Sequence, residues 1–330
     1  MPERTPTRRS FLAASAALFA GCHLVPTAGA PEPTTRNAEP ATQTTEPIID
    51  IHQHTNYSGR TDEQLLAHQR NMGISKTILL PAGRYVDRPS THMGKSNGLA
   101  VGAGTNEACY RLTQDHPGEY YFFANDTPDL DGARAEIEKY LKLGALGIGE
   151  QKFNIDVESP AFAVIADVAR DYDVPVLCHF QVGMYNHGFR RLWRVMDKYP
   201  TVKFIAHAQT TWTNVDADYA DDPKNLYPKT PYKPGGVTDR YLRDYEHFYA
   251  DISAGSGLNS LHRDPEHARA FLLMHQDKIF YGSDCNDHPG KPPICQGALT
   301  IAAIKWLAPS KGIARKILHD NAVRVLRVPA

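Results

Sequence analysis

Eight short apolar runs recur along this chain, and a segment with helical patterning follows each of them. The runs lie at 48–55, 76–81, 120–125, 145–150, 174–179, 202–207, 248–252 and 279–283. Each is rich in β-branched, aromatic or aliphatic residues and is bounded by turn formers, the pattern of a strand. Helices are expected at 61–72, 105–115, 133–143, 159–172, 188–198, 238–245, 264–276, 297–308 and 310–327. Their ends carry local signals. Thr61 opens the first and Gly73 closes it, Ser159-Pro160 and Asp264-Pro265 pair an N-cap with an N1 proline, and Gly144 closes the stripe of Ala133, Ile137, Tyr140 and Leu141. Alternating β and α units demand a parallel sheet. Eight of them within residues 48–330 imply α/β architecture of one kind, a single (β/α)8 TIM barrel. An open doubly wound sheet is the runner-up, but no Gly-rich phosphate loop follows the first strand.

Several strands end in a residue that can hold a metal. The first ends Ile51-His52-Gln53-His54, and side chains at i and i+2 on a strand share a face, so His52 and His54 project together. With 15 histidines in 330 residues, roughly 0.7 such triplets arise by chance, so the motif alone is weak. Recurrence makes the signal. Glu150 ends the fourth strand, His179 the fifth, His207 the sixth, and Asp284 follows the eighth. Barrel strands deliver their C-terminal residues to one face, where active sites form.

Asp50-Ile51-His52-Gln53-His54, Cys178-His179, Ile205-Ala206-His207 and Gly282-Ser283-Asp284 resemble, in order, the motifs of the metal-dependent amidohydrolase superfamily. Leu79-Leu80-Pro81 and Lys316-Ile317-Leu318-His319-Asp320-Asn321-Ala322 look like its amidohydrolase-related (amidohydrolase 2) branch, and the likeness spans about residues 48–327. The resemblance implies that His52, His54, His179 and Asp284 bind one divalent ion, with His207 beside it or completing a second site. It also implies that an acidic residue at strand four, here Glu150, goes with a two-ion centre. The alternative for Glu150 is a partner of Lys152 that only orients substrate. Nitrogen donors suit zinc, with manganese or iron as alternatives. The branch contains lactonases and decarboxylases. The expected function is therefore metal-dependent hydrolysis of a small amide, ester or lactone, with Asp284 and His207 catalytic and Arg84 and Lys152 holding an anionic substrate group. The rivals are a metal-dependent decarboxylase and a non-enzymatic metal-binding surface lipoprotein.

Other residues admit plainer readings. His179 taken alone reads as a core histidine, and Cys178 points to the opposite face as an inert thiol. Asp251 ends strand seven and either supports the centre or holds a loop. His187, His262 and His288 lie in loops. Trp212, Tyr219, Tyr227 and Tyr232 form a lid or simply pack the long segment 208–237. Cys285 and Cys295 bracket a Pro-rich loop and offer a disulfide after export.

The N-terminus reads as an address. Arg8-Arg9 within Thr7–Leu12 resembles a twin-arginine export signal, and an apolar run to Gly21 is too short to span a bilayer. Phe19-Ala20-Gly21-Cys22 resembles a lipoprotein box, so residues 1–22 are expected to form the signal region with Cys22 lipidated; the competing reading is cleavage after Ala30. Residues 23–47, rich in Pro, Thr and Ala, lack large apolar side chains from Pro26 onward and are expected to form a disordered tether. The protein is then periplasmic or at the cell surface. Removing residues 1–22, with three Arg and one Glu, leaves 33 basic and 36 acidic residues with no basic stripe, which argues against nucleic acid. The partner is a small-molecule substrate, membrane contact runs only through Cys22, and a homo-oligomer is left open.

Overall fold

The computed structural model describes residues 46–92, 97–99 and 102–329. The expected export signal, with Arg8, Arg9, Cys22 and Ala30, and most of the tether lie outside the described residues. In chain order the first half runs β1 (Ile49–Gln53), α1 (Asp62–Met72), β2 (Lys76–Leu79), α2 (Asn106–Asp115), β3 (Tyr120–Phe122), α3 (Ala133–Lys142), β4 (Ile148–Gln151) and α4 (Pro160–Tyr172). There follow β5 (Val176–His179), α5 (Leu192–Lys198), β6 (Phe204–His207), α6 (Gln209–Thr213), α7 (Val237–Asp244), β7 (Phe248–Asp251), α8 (Ala254–Arg263), α9 (Pro265–Met274) and β8 (Ile279–Phe280). The chain closes with α10 (Gln296–Leu307), α11 (Lys311–Arg315), one π-helical turn and α12 (Asn321–Leu326).

All neighbouring strands pair in parallel, as a ladder of β1–β2–β3 and another of β4 to β8. Backbone hydrogen bonds join the ladders at both seams. Ala124 N–H donates to Gly147 O and Gly149 N–H to Ala124 O, each at 2.9 Å, and on the other side Ile51 N–H reaches Tyr281 O at 3.2 Å and Asp284 N–H reaches His52 O at 2.9 Å. This closes the eight-stranded barrel expected from the alternation. Ile49, Ile51, Ile78, Leu80, Phe123, Leu177, Ile205 and Phe280 fill its interior, and Val325 and Leu326 of α12 plug one end. Residues of opposite parity, such as Cys178, Phe204, Ala206 and Ala250, pack outward against the helices.

Two irregularities position the site. Between Asp50 and Gln53, β1 uses three steps where β2 uses two from Thr77 to Leu79. Between Ile148 and Gln151, β4 likewise spends one residue more than β5 does from Val176 to Cys178. Such bulges re-aim the side chains that follow them. Ile49 and Ile51 face the interior, and continued alternation would send His52 outward; the extra residue restores His52 and His54 to the lumen.

The observed elements depart from the expected ones in four places, the first being the short helix α6 (Gln209–Thr213) at the start of the long segment 208–237. Residues Ala254–Arg263 form α8 where loop was expected, because the segment contains Gly255, Gly257 and several serines. Gly257 is what permits the packing: a Cβ there would sit 2.3 Å from Ile252 O. Strand eight is only two residues long, since Asp50 replaces ladder bonds with its carboxylate, accepting from Ser283 N–H at 2.9 Å. The expected 310–327 helix is broken by the π turn at Lys316–Asp320.

Candidate metal centre

The barrel brings His52, His54, Glu150, His179, His207 and Asp284 to one mouth, all buried. In the β5–β6 register His179 stands directly opposite His207, and their rings lie 5.0 Å apart. The hydrogen bonds behind the histidines decide what each presents. His52 Nδ1 lies 2.6 Å from Asp251 Oδ2, and His54 Nδ1 lies 2.7 Å from the Leu80 carbonyl. Both partners only accept, so both rings carry a proton on Nδ1. His207 Nδ1 is 2.7 Å from Ser253 Oγ, whose own hydrogen is committed to Asp251 Oδ2 at 2.7 Å, so His207 also donates from Nδ1. Asp251 therefore fixes two rings, one directly and one through a serine.

Three Nε2 atoms are left facing the mouth. His52 Nε2, His54 Nε2, His207 Nε2, Glu150 Oε2 and Asp284 Oδ1 are buried without a hydrogen-bond partner. Glu150 Oε2 stands 3.7 Å from both His52 Nε2 and His54 Nε2, and Asp284 Oδ1 stands 3.8 and 3.5 Å from the same two atoms. Five converging buried acceptors are costly unless a positive charge lies among them. Burial opposes charge on His52, yet Asp284 and Asp251 outweigh it and hold that imidazole well above its ordinary pKa. Burial likewise pushes Asp284 up, but His52, His54 and His207 prevail and hold its carboxyl low. Burial, with His52 and His179 nearby, keeps His207 neutral. The donor set fits a divalent cation, grouped as His52, His54 and Asp284 or as His52, Glu150 and His207.

His179 is placed differently from the sequence expectation. It reaches the centre, but its Nδ1 is 2.6 Å from Glu150 Oε1 and its Nε2 is 3.2 Å from Gln181 Oε1. Glu150 occupies the inner position, and His179 braces it. Of the two expected substrate contacts, Lys152 lines the cavity over the centre and makes no ion pair among the described residues. Arg84 is not among the lining residues; its guanidinium is committed to Asp126, with Nε 2.8 Å from Oδ2. The cavity measures about 260 Å³ and is also lined by Tyr57, Gln181, Gln209, Tyr227, Asn286 and Gln296. Of the four aromatic residues of the long loop, Tyr227 borders it, Tyr219 and Tyr232 pack the loop, and buried Trp212 donates to the Asp251 carbonyl at 3.2 Å.

The amidohydrolase family model matches residues 49–328. The chain belongs to the amidohydrolase family. Among solved structures, this amidohydrolase is similar to a TIM-barrel protein from Bordetella bronchiseptica, at 16% identity and TM-score 0.57 over 86% of this chain and 99% of that one. It is similar to a Pseudomonas putida protein assigned as a 2-pyrone-4,6-dicarboxylic acid hydrolase, at 14% identity and TM-score 0.57 over 87% and 99%. A third is a dihydroxybenzoic acid decarboxylase from Polaromonas sp. JS666 with bound manganese and 2-nitroresorcinol, at 15% identity and TM-score 0.55 over 87% and 98%. No curated protein sequence matches the chain. Sequence reasoning passed over the cavity residues Gln181, Gln209, Asn286 and Gln296, and also Ser253 and Tyr57. Ser253 relays Asp251 to His207, and no motif marks it. Tyr57 lines the cavity, and the nearby Asp284 charge, together with burial, keeps its phenol protonated as a donor; its place in the loop after β1 was the available hint.

Proposed function

We propose that this chain is a metal-dependent hydrolase of a small ester, lactone or amide carrying an anionic group. The observation that carries the reading is the convergence of five unpartnered buried acceptor atoms on one point. His52, His54, Glu150 and Asp284 would hold the ion, with His207 Nε2 facing it and His179 bracing Glu150. Nitrogen-rich donors favour zinc, with manganese or iron as alternatives, and the divergent faces of the Glu150 carboxylate leave room for one ion or two. Such an ion, when bound, supplies Lewis acidity: it lets water lose a proton near neutral pH and polarises a carbonyl.

The chain's own groups do the rest. Asp284 lines the cavity and takes the proton of the attacking water at Oδ2, then returns it to the leaving group. His207, neutral and fixed through Ser253, orients the scissile carbonyl or the water. Tyr57 donates a hydrogen bond into the cavity. Lys152 meets the anionic group, and the small volume restricts the substrate to roughly one ring. A second reading, decarboxylation of a small carboxylic acid, is favoured by Lys152 as a carboxylate anchor and by the likeness to the Polaromonas decarboxylase. Metal-loaded protein assayed against lactones, esters, amides and aromatic acids separates the two. Oxygen from labelled water in the product supports hydrolysis, and carbon dioxide release supports decarboxylation. A protein that retains no divalent ion after purification without chelator, and regains none from added zinc, defeats both. We further propose export to the periplasm or cell surface, with a lipid anchor at Cys22 favoured over cleavage after Ala30. Among the described residues no helix is long and apolar enough to cross a membrane.

A further inference from the structure

A second set of metal-competent side chains lies apart from the mouth, between α1 and the loop that follows β8. His68 comes from α1, Cys285 and Asp287 from that loop, and Cys295 from the N-cap of α10. One donor atom from each lies within 4.8 Å of all the others. Cys285 Sγ is 3.4 Å from Cys295 Sγ, Cys295 Sγ is 3.5 Å from His68 Nε2, and His68 Nε2 is 3.2 Å from Asp287 Oδ2. The pair the sequence offers as a disulfide is thus two free thiols, well beyond the bonded distance of about 2.05 Å. From ordinary zinc bond lengths, a tetrahedral ion with two sulfurs, one nitrogen and one oxygen has S–S, S–N and N–O edges of about 3.8, 3.6 and 3.4 Å. The observed separations are each shorter than the corresponding edge, by about 0.4 Å for S–S and by about 0.1–0.2 Å for the other two.

Proton placement agrees. Gln69 Nε2 donates to Asp50 Oδ2 at 2.9 Å and to Thr77 Oγ1 at 2.8 Å, which turns its Oε1 toward His68 Nδ1 at 3.1 Å. His68 therefore donates from Nδ1 and presents the Nε2 lone pair to a carboxylate and a sulfur. Backbone amides in the first turn of α10 point at the sulfurs, Gly297 N–H to Cys285 Sγ at 3.0 Å and Ala298 N–H to Cys295 Sγ at 3.4 Å. Charge also balances. Two thiolates and one carboxylate carry three negative charges; a divalent ion and the neighbouring buried Arg60, bonded to the Asp287 carbonyl at 2.9 Å, cancel them.

We propose that His68, Cys285, Asp287 and Cys295 form a structural zinc site that fastens the loop after β8 to α1. Asp284 precedes Cys285 directly, so the ion would hold the loop that carries it. Cobalt loaded into the reduced full-length protein distinguishes this site from the mouth, whose donors include no sulfur. The expected result is a sulfur-to-cobalt charge-transfer band that survives His52→Ala, with both thiols shielded from thiol reagents until a chelator is added. Cys295→Ser should remove most of the band and leave the cobalt at the mouth. Folded wild-type protein that fills with cobalt without showing the band overturns the proposal. So does a Cys285–Cys295 disulfide in the isolated protein whose reduction brings no band.

Discussion

Asp251→Asn tests the reasoning about ring orientation most directly. The Asp251 carboxylate accepts from three donors: Ser253 N–H at Oδ1 (3.1 Å), and His52 Nδ1 (2.6 Å) and Ser253 Oγ (2.7 Å) at Oδ2. Asparagine offers one oxygen where two are needed. If its amide nitrogen faces Ser253 N–H, two buried donors oppose each other, at a cost of about 1–3 kcal/mol. If the nitrogen faces His52 instead, the ring must accept at Nδ1, and its proton moves to Nε2, where the ion would bind. Loss of such an outer partner typically weakens metal affinity about 10–100-fold, which is about 1.4–2.8 kcal/mol. Competition with a chelator of known affinity measures the loss of affinity, and denaturant unfolding of the ion-free protein measures the loss of stability. The variant should lose in one or the other. A variant within about threefold of wild type in affinity and unchanged in stability refutes the tautomer assignment.

Asp284→Asn should keep most of the metal, because three other donors remain, while turnover on an identified substrate falls roughly 10²–10⁴-fold; metal retained with near-normal turnover would move proton transfer to His207 or Glu150. Lys152→Met should raise KM at least about tenfold for anionic substrates and leave neutral analogues nearly unaffected, as expected for loss of a charge-assisted contact; equal losses for both would remove its recognition role. His275, 2.8 Å from Asp239, lowers the Asp239 carboxyl pKa against a smaller opposing effect of burial. A depressed carboxylate contributes stability above its unfolded pKa of about 4 and loses it as pH falls through the folded value. Wild type should therefore exceed Asp239→Asn by about 1 kcal/mol at neutral pH, His275 being buried and Asp239 mostly so, and the gap should close on acidification; a gap that widens toward low pH contradicts this. Changing Arg8 and Arg9 to Lys should leave the protein in the cytoplasm, and normal export in a fractionation assay would mean the signal is misread.

The barrel was legible because its determinants are local. Strand runs, caps and helical stripes repeat eight times, and the mouth residues follow from which residue ends each strand. His52 and His54 were paired correctly by period two. Glu150 was visible as a candidate, but not as the inner carboxylate, because that depends on His179 turning Nδ1 toward it across two strands. Helix α8 was hidden since glycine and serine weaken the helical signal, and only packing against Ile252 shows why Gly257 belongs there. Arg84 looked available for substrate because Asp126, 42 residues away, is invisible to local reading. The Cys285–Cys295 spacing suggested a bond between the two; His68 completes a four-residue cluster only once α1 docks beside the loop.

The extra residues in β1 and β4 give these strands two reading frames. Below the bulge, side chains alternate in the frame of the core; above it they alternate in the frame of the ligands. Inserting one residue between Ile51 and His52 would leave Ile49 and Ile51 in place, yet turn both histidines away from the lumen. Substitutions at the mouth and in the core can then accumulate independently, whereas single-residue insertions and deletions in these two short spans cannot be neutral. In a library of such length variants, survivors should fold and lose metal, which makes the bulges a handle for separating the scaffold from its chemistry.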